Sequence, residues 1–140
     1  MLYNGVYTME NEKGEHRTFR IRTQPEDANF APGERIVSLL TGPDNVYDYQ
    51  GFGFLKADGS IILWKKYRNH TFEYYRELLY TLSLYIEQSD IEEVEAEIEY
   101  RGRSYKVMVS KRCIRCNREL TTPESIRAGI GPVCAEKMAS

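Results

Sequence analysis

A change of hydrophobic period near Asn69 constrains the fold of this chain more than any other feature. Before it, short stretches alternate or run apolar between turn signals, the habit of β-strands. After it, Phe72, Tyr75, Leu79, Leu82 and Ile86 recur at spacings of three or four, which marks one face of a helix. Asn69 or Thr71 is placed to cap its start, and Glu73 and Glu77 suit its first turns. Tyr74, Tyr80 and Tyr85 widen its aromatic surface, as expected of a helix packed on a sheet.

Residues 3–10 and 16–23 alternate in part, with Asn11-Glu-Lys-Gly14 as the turn between them. Pro25 to Gly33 is a polar loop in which Phe30 is the only large apolar residue. Ile36 to Leu40 follows as a short buried strand, ended by Thr41-Gly-Pro-Asp-Asn45. Tyr49 to Lys56 and Ser60 to Tyr67 are expected to form a hairpin around Asp58-Gly59. Within it, Phe52, Phe54, Ile62 and Trp64 share one parity, as a core face does.

Beyond the helix, Val94, Ala96, Ile98 and Tyr100 alternate with Glu93, Glu95, Glu97 and Glu99, predicting a strand with a charged outer face. Arg101-Gly-Arg103 turns it into Tyr105 to Val109, so acidic and basic strands are expected to pair across the hairpin. An acidic strand can also imitate a phosphate backbone, but charge guarding a sheet edge is the commoner use.

The chain has 140 residues, enough for a hydrophobic core without help from a metal. With 41% hydrophobic and 29% charged residues it reads as globular rather than disordered. A net charge of −2 supplies no global attraction to nucleic acid or anionic membrane, so such binding must come from local patches. No apolar run is long enough to span a bilayer, and the start of the chain lacks the regions of a signal peptide. Three cysteines, an odd number with two close together, argue against a disulfide framework and for a reducing cytoplasm.

Those cysteines fall in the last thirty residues as C-x2-C-x17-C: Cys113, Cys116 and Cys134. A two-residue spacing lets both sulfurs turn toward one ion. Pro132 fits a first helical position and places Cys134 in a first turn, where free amides and the helix dipole stabilise a thiolate. A knuckle plus a ligand from a helix start resembles a treble-clef finger holding structural Zn²⁺. The usual fourth ligand falls near Lys137, which cannot serve while protonated. His70, His16, Glu136 or a water are the candidates for that position. The alternative is three reduced thiols packing a small subdomain.

The stretch Cys113-x-x-Cys116-x-Arg118-x-Leu120-Thr121-x-Pro123-x-Ser125, with Gly129-x-Gly131-Pro132-x-Cys134, resembles a family of bacteriophage and prophage proteins of unknown function. His16 to Thr18, Thr41 to Asn45, Asp48 to Phe54 and Trp64 to Lys66 are similar, more loosely, to an N-terminal region found in some of these proteins. The resemblance implies a phage origin and a cytoplasmic setting in a host bacterium. It implies no characterised activity.

Around the knuckle, Arg101, Arg103, Lys106, Lys111, Arg112, Arg115, Arg118 and Arg127 form the clearest basic patch, with Arg112, Arg115, Arg118 and Arg127 as the expected contact surface for a nucleic-acid backbone, although exposed arginines are also ordinary solubilising groups. Asp44 and Asn45, with Trp64 and Lys66, offer a second candidate, an aromatic ligand pocket. No Gly-rich phosphate loop, hydrolytic triad or H-E-x-x-H is present, and the cysteine order does not fit a zinc deaminase.

The expected fold is therefore α+β: an antiparallel sheet of about six strands with one packed amphipathic helix over residues 1–110. A treble-clef-like zinc module over 111–140 completes it. The expected function is a non-enzymatic phage-type accessory protein binding a host or phage macromolecule, protein or nucleic acid, through that module. Single-stranded nucleic-acid binding and sequestration of a nucleotide or small ligand are the alternatives.

Overall fold

The computed structural model describes residues 2, 4–44, 47–88, 95–109, 122 and 123. Seven strands are seen: β1 (Gly5–Glu10), β2 (His16–Thr23), β3 (Arg35–Leu40), β4 (Tyr49–Leu55), β5 (Ile61–Leu63), β6 (Glu95–Tyr100) and β7 (Arg103–Val109). One long helix, α1 (His70–Gln88), follows a 3-10 turn at Lys65–Tyr67. All pairings are antiparallel, and the order across the sheet is β5-β4-β3-β2-β1-β7-β6. The antiparallel sheet with one helix is as expected, with seven strands in place of about six. The cysteine module and the boundary near Ser110 lie outside the described residues.

Local signals act where the sequence places them. Asn69 caps α1: its Oδ1 accepts the Phe72 amide at 3.1 Å and its carbonyl accepts that of Glu73 at 2.9 Å. Asn11 closes the β1–β2 turn by accepting the Lys13 and Glu15 amides, each at 3.0 Å. Gly59 sits at φ +86° in the β4–β5 turn, where a side chain would meet Ser83 Oγ on α1.

A flat sheet of seven strands would hold its edges about 29 Å apart, six gaps of about 4.8 Å. A helix is only about 10–12 Å across. Yet Phe72 meets Phe52 on β4 while Tyr74, two residues further along α1, meets Tyr100 on β6, five gaps away in the sheet. The sheet is therefore curled around the helix. Its inner face brings Phe19 against Tyr75 (5.2 Å between ring centroids) and Phe52 against Phe72 (5.1 Å). Leu79 and Leu82 are sealed from solvent between them. Burial of each such leucine contributes about 1.5–3 kcal/mol.

The sheet's regularity breaks at one place. Val37 pairs with Gly53 and Ser38 with Gly51, leaving Phe52 without an opposite residue. An extra residue resets the in–out alternation of a strand. Phe52 accordingly faces the helix, while Phe54 pairs with Ile36 and Ile62 and packs on the outer side against Phe30 and Trp64. This corrects the expectation that Phe52, Phe54, Ile62 and Trp64 share a core face: only Phe52 is inside, and Ile62 is half exposed. The second arm of the hairpin also ends early, at Leu63, because the chain turns into the 3-10 segment after Trp64.

Across the last hairpin, Glu97 faces Lys106, but Glu99 faces Ser104 and Glu95 faces Met108. Only one acid thus stands opposite a base, and no ion pair joins Glu97 to Lys106 among the described residues. Arg101 instead reaches Glu77 on α1 at 2.7 Å, fastening the β6–β7 turn to the helix.

The bulge depends on glycine. A Cβ on Gly53 would lie 2.8 Å from the Ile62 carbonyl oxygen, a backbone atom held in the β4–β5 ladder. Gly53→Ala is expected to destabilise the fold by about 1–3 kcal/mol, read as a lower midpoint in urea unfolding with an unchanged slope.

Candidate functional site

The bulge turns an aromatic cluster outward. Phe30 lies 6.1 Å from Phe54, nearly parallel to it, and 5.4 Å from Trp64, edge to face. Phe54 and Trp64 are 5.5 Å apart. The loop carrying Phe30 is folded back by the Gln24 side chain, which donates to the Phe30 carbonyl at 3.1 Å, and by backbone bonds between Gln24 and both Gly33 and Glu34. Phe30 nonetheless keeps 54% of its surface exposed. Large exposed aromatic groups on a sheet face are costly to leave in water and are a mark of binding surfaces.

Cations surround this cluster. Arg20 lies 4.1 Å over the Tyr49 ring, and Lys56 Nζ 5.4 Å over Phe54. Arg20, Arg22, Ile36, Ser38, Gly51 and Trp64 line a shallow cavity of about 200 Å³. The Trp64 ring presses on Gly51, where a Cβ would come within 2.8 Å of it. Trp64 Nε1 is buried and has no hydrogen-bond partner among the described residues. The arrangement joins π-faces to guanidinium groups on an open sheet, which suits stacking of planar groups with phosphates alongside.

Of the residues singled out for a ligand pocket, Trp64 lines this cavity and Asp44 and Lys66 do not. Asp44 belongs to the β3–β4 turn, where its carboxylate accepts the Tyr47 amide at 3.0 Å. Lys66 stands in the 3-10 segment with its ammonium 5.7 Å from the Tyr67 ring. Asn45 lies outside the described residues, as do Cys113, Cys116, Cys134, Glu136, Arg112, Arg115, Arg118 and Arg127. His70 is exposed at the first position of α1, and His16 opens β2. Among the described residues, no three histidine, cysteine, aspartate or glutamate side chains gather as metal ligands do. Among them too, no helix is long and apolar enough to cross a membrane.

Sequence reasoning missed Phe30, Arg20 and Arg22 as site residues. The arginines did carry a signal: they alternate with Phe19 and Ile21 along β2, so they had to face away from the core. Phe30 became a site residue only through the folding of its loop.

On the helix side, tyrosines and charges form a second cluster. The Tyr100 hydroxyl donates to the Glu77 carboxylate, which also takes Arg101 at 2.7 Å, with Arg76 Nη2 at 3.7 Å. The hydrogen bond from Tyr100 and these two guanidiniums hold the Glu77 carboxyl below its ordinary range. Burial and the bond to Glu77 push the Tyr100 phenol up to about 12. Tyr105, hydrogen-bonded to Tyr74, is likewise pushed up to about 12, mainly by burial.

Residues 108–139 are similar to a family of unknown function (DUF6011), a match that begins in β7 and covers the cysteine-bearing stretch. No curated protein matches the chain. No solved structure matches it either.

The raised phenols set an alkaline limit. Their folded values lie above the unfolded value of 10, so their contribution to stability is complete below pH 10 and is lost as pH climbs toward about 12. Absorbance titration of the folded protein should show phenols ionising near pH 12, with one fewer of them in Tyr105→Phe.

Proposed function

We propose that this protein is a non-enzymatic, phage-type accessory protein that binds single-stranded nucleic acid. The outer face of the sheet carries the reading: Phe30, Phe54 and Trp64 cluster there beside Arg20, Arg22 and Lys56. Bases stack on such rings whatever their sequence, and arginines satisfy the phosphates between them. The overall charge of −2 leaves the attraction to local groups, here Arg20 and Arg22 beside Trp64 and Lys56, which also pairs with Glu34, beside Phe54.

In this proposal Cys113, Cys116 and Cys134 hold a structural Zn²⁺, and Arg112, Arg115, Arg118 and Arg127 extend the phosphate contacts. The support is the chemistry of three thiols at knuckle spacing in a chain with no other cysteine. Met108, where the family match begins, pairs with Thr8 on the outer side of the sheet, in a strand separated from β4 by β3, β2 and β1. His70, exposed on α1, is a candidate fourth ligand.

Trp64 is the only tryptophan, so its emission reports directly on this face. Adding a single-stranded oligonucleotide should quench it, with affinity falling steeply as salt rises. Trp64→Ala should cost about 1–3 kcal/mol of binding by fluorescence anisotropy. Unchanged emission with no measurable binding would remove the nucleic-acid reading and favour a protein partner. Elemental analysis tests the module separately: zinc equimolar with chain is expected, and its loss in Cys134→Ser.

A further inference from the structure

A second cavity, of about 240 Å³, opens between α1 and the ends of β1, β2 and β7, on the face opposite the aromatic cluster. His16, Arg17, Tyr74, Tyr75, Arg103 and Tyr105 supply its polar wall, and Phe19 and Leu78 close its floor. Its hydrogen-bonding inventory is lopsided. Arg17 Nε donates to the Tyr75 hydroxyl at 3.3 Å and Nη1 to the His16 carbonyl at 2.8 Å, which leaves Nη2 uncommitted among the described residues. Because Tyr75 accepts from Arg17, its own proton is free to point outward.

The pair Tyr74 and Tyr105 holds two hydroxyl protons and spends one on the bond between them. The other remains to be donated. Burial keeps the Tyr105 phenol neutral far into the alkaline range, so it retains its proton. Arg103 lies against the Tyr105 hydroxyl.

The acceptors, by contrast, are few. Asn11 Oδ1 takes the amides of Lys13 and Glu15, each at 3.0 Å. Glu15, the only carboxylate in the wall among the described residues, takes Asn11 Nδ2 at 3.3 Å. Nearby arginines make the contrast plain. Arg76 is paired with Glu73 at 2.8 Å and Arg101 with Glu77 at 2.7 Å. Among the described residues, neither Arg17 nor Arg103 is within ion-pair distance of any carboxylate. A partly enclosed site with two guanidiniums that pair with no described carboxylate, surplus phenol protons and only Glu15 for negative charge holds donors in excess, which suits an added negatively charged acceptor.

We propose that this cavity binds a small oxyanion-bearing ligand, a phosphate monoester or a carboxylate, with its oxygens on Arg17 and Arg103 and its apolar body on Phe19 and Leu78. The volume lies below the about 300–1,000 Å³ of common small-molecule sites, so the ligand is a small metabolite and not a polymer. The site is independent of the outer face, and its ligand does not reach Trp64.

The test titrates the full chain with phenyl phosphate, benzoate and inorganic phosphate at constant ionic strength, using calorimetry and amide chemical shifts. Saturable binding at millimolar concentration or below is expected for phenyl phosphate or benzoate, with shifts confined to residues around Arg17, Tyr75 and Arg103 and no change in Trp64 emission. The stronger of the two names the oxyanion. Arg17→Gln and Arg103→Gln should each weaken binding about tenfold or more, the loss of one charge-assisted hydrogen bond. Tyr105→Phe should weaken it less. Absence of saturable binding by all three probes overturns the proposal, as do shifts centred on Trp64 or affinities unchanged in both arginine variants. The wild-type shift map decides the matter even where a variant fails to fold.

Discussion

The aromatic face of α1, seated in the trough of the curled sheet, is the contact on which the rest of the structure depends. Phe72 meets Phe52 on β4, Tyr75 meets Phe19 on β2, and Tyr74 meets Tyr100 on β6 and Tyr105 on β7. A single helix too narrow to cover a flat seven-stranded sheet can seal one that bends around it. Curling therefore solves the burial problem, and it has two consequences. The edges are drawn to the helix, and the outer face of the sheet is left to do something else.

Charge is distributed to match. On the helix side, Glu73 and Glu77 take up Arg76 and Arg101, so that the β6–β7 turn is tied down. Such partly exposed pairs contribute little individually, but here they fix the position of Tyr100 and the turn beside it. Arg17 and Arg103, which pair with no carboxylate among the described residues, lie on the same side, at the start of β2 and the start of β7. An exposed arginine needs no carboxylate, and it is the meeting of these two with three tyrosines in one cavity that the proposed oxyanion site rests on.

Much of the architecture was legible because it is written in local chemistry. The period change at Asn69, its capping side chain, the Asn11 turn and the Asp58-Gly59 hairpin all act through neighbours a few residues away. Register inside β4 was not legible. Gly51-Phe52-Gly53 reads as a strand with small residues, and nothing within it says that Phe52 will be the residue left over opposite β3. That bulge alone moved Phe54, Ile62 and Trp64 from the expected core to the surface. The candidate site was visible in part: Trp64 was singled out, but the arginines that share its cavity come from another strand, more than forty residues earlier.

The amino-acid sequence by itself determined an antiparallel sheet with one helix, where that helix begins, and three thiols at the spacing of a metal knuckle, since each follows from periodicity or from residues close along the chain. Only the tertiary structure decided how far the sheet curls, which aromatic rings face outward and which donors converge on the cavity beneath α1. Those outcomes depend on strand register and on contacts between residues such as Arg17 and Tyr75, 58 positions apart, which no local pattern encodes.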